Sequence, residues 1–370
     1  MKKFFALVIA LAVVLSASSS FAAEKLIEAS GEYVMDSRLD ETPASATARA
    51  REEAQRAAVE KAGVYLQSYS KMINLAVEED EVRTVAARLL KIQSESSEVE
   101  VIEKNLLKFT VTIKALVNDL DDAALQSIMN DKRSLEELTR KNKELQERYD
   151  ELNRQMKNYR REFDSANETE RVEIKREVAR NAEKFSAVDE LAKGNEFSLR
   201  KDYARALAAY DAAIKLDSQL AEAYNNRGIV KYERGQFSAA VEDYSAALRL
   251  KPNYADALNN RGNAHAALNQ FQDAANDLQA ALRLNKNSAV THNNLGSVYF
   301  SQKIFDAAVN EYSRAIQINP RFAEAFYNRA AVHYALGNYA SALEDAQRAV
   351  ELNPNDSDAR ALCRKIRSRF

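Results

Sequence analysis

The sequence predicts a mainly α-helical protein. A small α+β domain comes first, a coiled-coil helix follows, and an α-solenoid of five helical hairpins with a capping helix ends the chain. The 370 residues include only 8 glycines and 4 prolines, which is a helix-rich composition. Apolar residues recur in a heptad pattern between residues 135 and 166, which indicates a coiled coil. A short motif also returns every 34 residues, which indicates stacked helical hairpins. It reads Asn226-Arg227-Gly228, Asn260-Arg261-Gly262, Asn294-Leu295-Gly296 and Asn328-Arg329-Ala330.

Residues 1–22 have the pattern of a secretory signal peptide. Two lysines precede an apolar run over residues 4–15, which is too short to span a bilayer. Small residues end the segment, and we expect cleavage between Ala22 and Ala23. No cysteine lies near this position, so a lipid anchor is not predicted. The sequence therefore predicts a periplasmic or secreted protein with no direct membrane anchor after cleavage.

The domain predicted over residues 23–122 combines strand and helix patterns. Its first strand is interrupted by Gly31. Pro43 then opens a helix so crowded with alanine that we expect another element to pack closely on it. Later segments alternate apolar and polar residues and contain β-branched side chains, as strands do. The predicted order is β-α-α-β-β, with strands at residues 27–34, 98–102 and 109–117 and a second helix at residues 80–90.

Three of these segments carry a resemblance to a known family. Residues 28–31, 58–65 and 110–117 resemble the N-terminal domain of flagellar assembly protein T and related small envelope lipoprotein domains. The resemblance implies a protein of the cell envelope, which agrees with the signal peptide. Many members are lipidated, but this sequence lacks the lipidation cysteine, so anchoring is not implied. The acidic cluster at residues 78–81 has no paired base and no metal-ligand spacing, and we interpret it as a solvated helix start.

The heptad pattern predicts a helical rod over residues 131–186. Asn142 occupies an a position, where two facing asparagines favour a parallel dimer, whereas aromatic residues at three other positions are bulky for a dimer. We therefore expect residues 135–166 either to self-associate with a second chain or to lie against their own chain. The pattern breaks near Asn167 and Glu170, which could cap a fresh helix. The heptad positions are Leu135, Leu138, Asn142, Leu145, Tyr149, Leu152, Met156, Tyr159, Phe163 and Ala166.

The 34-residue period divides residues 187–356 into five repeats, each of which is predicted to form two antiparallel helices. Small residues recur at the eighth and twentieth positions of the repeat, where they would let the two helices approach closely. Residues 357–370 are predicted to form a capping helix that covers the last repeat with Ala361, Leu362 and Ile366. The repeats span residues 187–220, 221–254, 255–288, 289–322 and 323–356.

This pattern is similar to that of tetratricopeptide repeat (TPR) proteins. Aromatic residues fill the seventeenth position, and Pro252, Pro320 and Pro354 close three of the repeats. The resemblance implies a concave groove that is lined by the first helix of each repeat, chiefly through positions 2, 5, 6, 9, 12 and 13. The candidate peptide-binding residues are Asn225, Asn226, Asn259, Asn260, Asn293, Asn294, Asn328, Tyr232, Phe300, Tyr334, Glu222, Asp256 and Glu324.

The asparagines suggest how a partner would be held. A primary amide offers a donor and an acceptor, as does the backbone of an extended peptide. The row also resembles the asparagine ladder of the TPR domain in O-linked N-acetylglucosamine transferases, although the transferase domain is absent. The candidate positions are neutral or acidic, so we expect a neutral to basic protein or peptide segment as partner. Because Asn-Arg-Gly is in part a consensus of this fold, an array that serves as a spacer or assembly surface stays open.

The sequence predicts no enzyme and no cofactor, because no nucleophile–base pair, metal cluster or phosphate loop appears. Its 53 basic and 55 acidic residues create no global field that would attract nucleic acid. Cys363 is the only cysteine, and we expect it to pack in the last helix. We interpret the chain as a non-enzymatic adaptor that aids envelope assembly. The alternatives are an oligomeric scaffold of the envelope or of flagellar assembly, and a linker similar to the periplasmic cell-division coordinator family.

Overall fold

The computed structural model describes residues 25–72, 86, 90–117 and 132–369. The predicted signal peptide and most of the second helix predicted at residues 80–90 lie outside the described residues. The chain divides into two compact units, Met1–Glu147 with Tyr159–Val178 and Arg148–Asn158 with Ala179–Phe370. The predicted fold class is confirmed, because helices dominate and a small antiparallel sheet lies near the N-terminus. Among the described residues, no helix is both long and apolar enough to cross a membrane.

The first unit contains an antiparallel three-stranded sheet in the order β1-β3-β2. Its strands are β1 (Lys25–Asp36), β2 (Leu90–Glu103) and β3 (Leu106–Val117). The two-residue turn at positions 104–105 joins β2 to β3, and β1 pairs with β3 along its whole length. All three predicted strands are present. Strands β1 and β2 extend beyond both predicted ends and β3 begins earlier than predicted, because the pairing with β3 continues past the alternating residues.

Helix α1 (Pro43–Met72) packs on one face of this sheet. Every fourth residue from Ala46 to Ala62 is an alanine, and all five side chains are buried. They contact a core that includes Ala29, Phe109 and Val111 of the sheet. Alanines at this spacing form one smooth stripe along a helix, so the helix backbone can lie almost on the strands. The close packing predicted from the alanine-rich sequence is therefore confirmed.

Two long helices follow, α2 (Lys132–Ser165) and α3 (Glu168–Leu199). The turn between them is a capping box. The Asn167 side-chain oxygen accepts hydrogen bonds from the backbone N–H groups of Thr169 at 3.0 Å and Glu170 at 3.1 Å. The Glu170 carboxylate in return accepts the Asn167 N–H at 2.9 Å. The break in the heptad pattern thus marks a helix end and a new helix start, as the sequence predicted.

Two heptad positions of α2, Tyr149 and Leu152, contact α3 of the same chain. Within the second unit, the Tyr149 and Phe185 rings lie 5.1 Å apart, and the Asn181 amide donates to the Leu152 carbonyl at 3.2 Å. Tyr149, Leu152 and Met156 are buried by this pairing. The structure therefore shows the second of the two alternatives, a helix that lies against its own chain. Self-association through residues 135–166 stays a prediction, and the side chains of Leu135, Leu138 and Asn142 lie outside the described residues.

A buried charge cluster fixes α2 within the first unit. The Glu41 side chain is fully buried, and its carboxylate lies 3.8 Å from Arg49 and 3.7 Å from Arg160 of α2. The Arg160 guanidinium also lies over the Tyr33 ring, 5.2 Å from its centroid. Burial raises the pKa of Glu41, and the two arginines oppose this rise. Removing either arginine would leave a buried carboxylate less compensated, so the cluster disfavours other placements of α2.

Helix α3 begins at the capping box after α2 and continues without interruption into the first repeat. Neither glycine nor proline occurs between residues 168 and 193. The predicted boundary at residue 186 therefore falls inside a continuous helix. Residues 187–199 of α3 act as the first helix of the first repeat, and the other repeats have two helices each, as predicted. The remaining helices are α4 (Tyr203–Leu216), α5 (Ala221–Glu233), α6 (Phe237–Leu250), α7 (Ala255–Ala267), α8 (Phe271–Leu284), α9 (Ala289–Ser301), α10 (Phe305–Ile318), α11 (Ala323–Ala335), α12 (Tyr339–Leu352) and α13 (Ser357–Arg367).

Helix α13 covers the last repeat, as predicted, with Ile366 buried and Leu362 partly buried against it. Ala359, Cys363 and Ile366 are buried, whereas Ala361 is exposed. The expectation for Ala361 was wrong because residues spaced by three and four from Ile366, not Ala361, share its helix face. The prediction that Cys363 packs in the last helix is confirmed.

The small residue at position 8 of each repeat lies against the residue at position 24. A Cβ atom built on Gly228 would lie 2.7 Å from the Tyr244 ring, and one on Gly296 would lie 2.8 Å from the Tyr312 ring. In the fifth repeat both positions are alanine, Ala330 and Ala346, and both are buried. In the first four repeats a large residue on the second helix therefore packs against a glycine on the first, and in the fifth repeat two alanines fill the same contact.

We expect Gly296→Ala to destabilise the array by about 1–2 kcal/mol. Overpacking against Tyr312 costs about 1–3 kcal/mol, and the better helix propensity of alanine returns up to about 1 kcal/mol. Burial raises the pKa of Tyr312 to about 12, so its hydroxyl stays neutral and hydrogen-bonded to Ser297 at 3.0 Å.

Urea unfolding of the Gly296→Ala variant, followed by circular dichroism, measures the change in stability. The exposed Ser301→Ala on the same helix is the control and should shift stability by less than about 0.5 kcal/mol. Equal unfolding midpoints for the two variants would contradict the expected clash.

Candidate functional site

The first helices of successive repeats define one face of the array. Helices α5, α7, α9 and α11 contact one another in series, whereas direct contacts between second helices are sparser. The first helices therefore lie on the inner side of the stack, which is the concave side of a solenoid. The predicted site residues all belong to these helices.

Side-chain amides connect these helices in an asparagine ladder, in which one asparagine amide donates to an asparagine oxygen in the preceding repeat. The last three steps have the same form: an asparagine at position 6 donates to position 5 of the repeat before it. The first step ends instead on Asn195 at position 9 of the first repeat, which was not among the predicted residues. The steps are Asn226 to Asn195 at 2.8 Å, Asn260 to Asn225 at 3.1 Å, Asn294 to Asn259 at 3.1 Å and Asn328 to Asn293 at 3.0 Å.

Not every amide of the ladder is available to a partner. Asn225, Asn226 and Asn293 are 5% exposed or less, and Asn225 also donates to Asn226 at 3.0 Å. The position-6 residues Asn260, Asn294 and Asn328 are partly exposed, and their side-chain oxygens accept no hydrogen bond from the described residues. An amide has two N–H donors, so each of these also keeps a second donor. The ladder thus aligns amides that retain a donor and an acceptor.

The three predicted aromatic residues each pair with the aromatic residue at position 17 of their own repeat. Tyr232 lies 5.1 Å from Phe237, Phe300 lies 5.8 Å from Phe305, and Tyr334 lies 5.6 Å from Tyr339 between ring centroids. These partly buried pairs hold the two helices of a repeat together. The ammonium of Lys365 in α13 also lies over the Tyr334 ring at 4.8 Å. Tyr334 is therefore partly covered by the capping helix.

The acids at position 2 interact with their own chain. Glu222 lies 3.5 Å from Arg148 and 3.4 Å from Lys251. Glu324 accepts the Asn293 amide at 3.0 Å. Asp256 is partly buried and also interacts within the chain. The position-2 acids thus add negative charge to the inner face. Arg148 and Lys251 neutralise part of the charge of Glu222.

A set of buried arginine–aspartate pairs was not predicted. The arginine at position 7 binds the aspartate at position 23 of its own repeat through two hydrogen bonds. The pairs are Arg227 with Asp243 at 2.9 and 2.6 Å, Arg261 with Asp277 at 2.7 and 2.8 Å, and Arg329 with Asp345 at 2.8 and 2.7 Å. The third arm of each guanidinium reaches position 25 of the preceding repeat, at Asp211, Ser245 and Ser313. Each arginine therefore binds two repeats at once.

The fourth repeat lacks this pair and replaces it. Leu295 stands at position 7, and Glu311 at position 23 bonds instead to His292 at 2.6 Å. The other ring nitrogen of His292 lies 3.2 Å from the Lys286 carbonyl. A sequence signal for the arginine pairs was available: an aspartate follows the motif arginine by 16 residues in three repeats, and both residues change together in the fourth.

No metal site forms within the part of the chain that the structure describes, where no three His, Cys, Asp or Glu side chains are grouped as ligands. His265 bonds to Gln270 at 2.6 Å, and His292 is engaged by Glu311. Both rings thus serve packing and hydrogen bonding between neighbouring helices.

Comparisons with known proteins concern the array. A family model described as TPR repeat matches residues 194–233, 230–269, 262–303 and 296–337, and a second, described as tetratricopeptide repeat, matches residues 323–356. Neither match reaches the residues before 194, so the resemblance of the N-terminal domain to flagellar assembly protein T gains no support. A search of the curated proteins found no match.

Several solved structures are similar to about half of this chain. YrrB, described as a TPR protein with an unusual peptide-binding site, is 27% identical over 50% of this chain and 95% of its own, with a TM-score of 0.41. MamA is 25% identical over 46% of this chain and 92% of its own, with a TM-score of 0.41. A thermophilic TPR protein of Thermus thermophilus is 22% identical over 49% of this chain and 99% of its own, with a TM-score of 0.43.

Proposed function

Because residues 194–356 are tetratricopeptide repeats, we propose that the chain is a non-enzymatic adaptor that binds an extended segment of another protein along its first helices. Solenoids of this kind present long inner surfaces to their partners. The observation that carries the proposal is the asparagine ladder. The position-6 amides of Asn260, Asn294 and Asn328 are partly exposed, lie on the inner face and retain a donor and an acceptor each.

The ladder would bind the main chain of the partner. An extended segment exposes alternating N–H and C=O groups, which match an amide that offers both. Each ladder bond holds its side chain in one orientation before the partner arrives, so less side-chain freedom is lost on binding. Such a surface recognises backbone more than sequence, which suits an adaptor that accepts related segments.

The rest of the inner face defines the chemistry of the segment. Tyr232 and Phe300 are partly exposed and would contact apolar side chains. Glu222, Asp256 and Glu324 keep the face neutral to acidic, so we propose a neutral to basic segment. A free C-terminal carboxylate is a poor ligand for this face, since the proposed binding positions hold no lysine or arginine.

We propose that the adaptor works in the periplasm or outside the cell and aids envelope assembly. The support comes from the signal-peptide pattern of residues 1–22 and from the resemblance of the N-terminal domain to envelope proteins. Cell fractionation with N-terminal sequencing tests the location. A protein recovered in the cytosol with residues 1–22 intact would contradict this part of the proposal.

The double substitution Asn260→Ala with Asn294→Ala tests the groove. Peptides selected from a random displayed library against the full chain supply the probe, and fluorescence anisotropy measures their affinity. Each substitution removes the amide that would bond to the peptide, at about 1 kcal/mol per hydrogen bond. We expect at least about tenfold weaker binding of the selected peptides. Thermal unfolding is recorded in parallel, because Asn225 and Asn259 lose ladder partners.

The matched control is Asn276→Ala with Asn310→Ala, two exposed asparagines on second helices. It should leave peptide affinity unchanged. If the two double variants bind the peptide equally well, the ladder is not the binding surface. A photo-crosslinking residue at Asn263, on the first helix α7, then separates adaptor from scaffold in cells. Links to a foreign protein favour the adaptor, and links only to copies of this chain favour the oligomeric scaffold.

A further inference from the structure

Strand β2 has an open edge. The strand order β1-β3-β2 leaves one side of β2 without a neighbouring strand among the described residues. At 14 residues β2 is long, and edge strands that are long and apolar are templates for pairing with another chain. Natural edges are blunted by proline, charged side chains, β-bulges or covering elements. Strand β2 contains no proline, but it carries glutamates and two irregularities in its register, which restrict pairing to a partner of complementary charge.

The open edge carries exposed apolar side chains on the face where α1 packs. Val99 pairs with Phe109 and Val101 with Leu107 in the register, so all four share that face. Phe109 is 3% exposed, whereas Val99 is 56% and Val101 68% exposed. Helix α1 covers β1 and β3 but reaches β2 mainly through the Arg51–Glu95 ion pair at 2.6 Å. The hydrophobic core under α1 therefore includes residues of β1 and β3 but leaves Val99 and Val101 of β2 exposed.

The other face of β2 is acidic. Glu98 and Glu100 alternate with the valines and lie opposite Thr110 and Lys108 of β3. Lys108 is already paired with Glu32 of β1 at 2.7 Å. Within the described residues, no cation lies within ion-pair distance of Glu98 or Glu100, and both are exposed. Glu98, Glu100 and Glu103 thus stand along one face of the edge strand, and Val99 and Val101 stand on the other face, beyond the paired Glu95.

We propose that residues 92–103 of β2 dock an extended segment of a partner protein in which lysine or arginine alternates with β-branched residues. The segment adds a fourth strand to the sheet through main-chain hydrogen bonds. Its apolar side chains lie beside Val99 and Val101, and its basic side chains lie beside Glu98 and Glu100. This site is separate from the asparagine ladder, and neither proposal depends on the other.

A second copy of β2 is a poor occupant of the same edge. Antiparallel pairing of two identical strands keeps like faces together, so glutamates of one copy would lie beside glutamates of the other. Like charges at directly opposed positions destabilise a sheet. A basic strand of the same alternation removes that repulsion and covers the same valines.

A labelled peptide of about ten residues that alternates lysine and valine tests the proposal, since strands of that length are common in sheets. Fluorescence anisotropy with the full chain measures its affinity. We expect binding at least about tenfold tighter than that of a peptide with the same residues in two blocks, which cannot place charge and apolar groups on opposite faces. Binding should weaken as salt is added, because the charges are exposed.

Charge reversal supplies the decisive variant. The double variant Glu98→Lys with Glu100→Lys should bind the lysine–valine peptide at least about tenfold more weakly. It should also bind a glutamate–valine peptide, which the original chain does not. The control Glu162→Lys with Glu183→Lys makes the same change in net charge at exposed helix positions and should leave affinity unchanged. The Asn260→Ala with Asn294→Ala variant should also bind normally, which excludes the groove as the site measured. Equal binding by the charge-reversed chain, or equal binding of the block peptide, would overturn the proposal.

Discussion

Gly31→Ala should unfold the sheet and α1 while leaving the repeat array folded. A Cβ atom at this position would lie 2.7 Å from the Glu53 carbonyl carbon and closer still to the Ala54 nitrogen and the Ala50 oxygen. All three are backbone atoms of α1, so no side chain can rotate away to make room. The clash could be relieved only if α1 moved off the strands and opened the core beneath its alanines. Overpacking of this severity costs more than about 3 kcal/mol, a large part of the roughly 5–15 kcal/mol that stabilises a domain.

Hydrogen exchange measured by mass spectrometry resolves the effect by segment. We expect peptides from β1, β3 and α1 to lose protection and peptides from α7 to α10 to keep it, since each repeat contacts mainly its neighbours. The neighbouring Ser30→Ala is the matched control. Its side chain lies on the opposite face of β1 and loses a single hydrogen bond to Thr112 of 2.8 Å. Protection in the sheet that matches the control would show that α1 tolerates the added methyl group.

Arg329→Leu should destabilise the last repeats by about 3–5 kcal/mol, the usual cost of leaving a buried charge without its hydrogen-bonding partner. The Asp345 carboxylate is 7% exposed and accepts two hydrogen bonds from this guanidinium. The His333 ring nitrogen lies 4.0 Å from Asp345, which is too far to replace the two lost hydrogen bonds. The substitution also breaks the 2.9 Å bond to Ser313, which belongs to the fourth repeat. Thermal unfolding and hydrogen exchange of α11 and α12 measure the loss.

Two further variants separate charge from packing. Arg329→Leu with Asp345→Ala removes both members of the pair, so we expect it to be more stable than the single variant despite the larger change. The fourth repeat shows that leucine is tolerated at position 7, because Leu295 is buried there beside a different position-23 residue. Exposed Arg321→Leu is the control and should change stability by less than about 0.5 kcal/mol. If Arg329→Leu lowers stability no more than Arg321→Leu does, then Asp345 has gained water or another partner in place of Arg329.

The architecture of the array was predictable because its contacts are local. The two helices of each repeat pack on each other in the same way, so the same requirement for a small residue recurs every 34 residues at Gly228, Gly262 and Gly296. The capping box at Asn167 was predictable for the same reason, since its partners are three residues apart. The alanine stripe of α1 predicted close approach, and Gly31 proved to be where the backbones meet.

The candidate site was predicted only in part. The position-6 and position-5 asparagines were placed correctly on the first helices, but their hydrogen bonds to one another were not foreseen. A bond such as Asn260 to Asn225 joins residues 35 apart, and its existence depends on the angle at which two repeats stack. The arginine–aspartate pairs were not predicted, because the 34-residue period marks the arginine but does not by itself connect it to the aspartate 16 residues later.

The sequence by itself determined where helices and strands form, how often the hairpin repeats and which residues are small enough for close packing. These properties follow from neighbours along the chain and from helix periodicity. The tertiary structure alone decided what covers each apolar stripe. It placed α3 of the same chain on the heptad positions of α2, engaged the ladder amides with one another and left Val99 and Val101 uncovered. An apolar or amide-rich face specifies that it needs a partner, and only the packing of distant segments specifies which partner it meets.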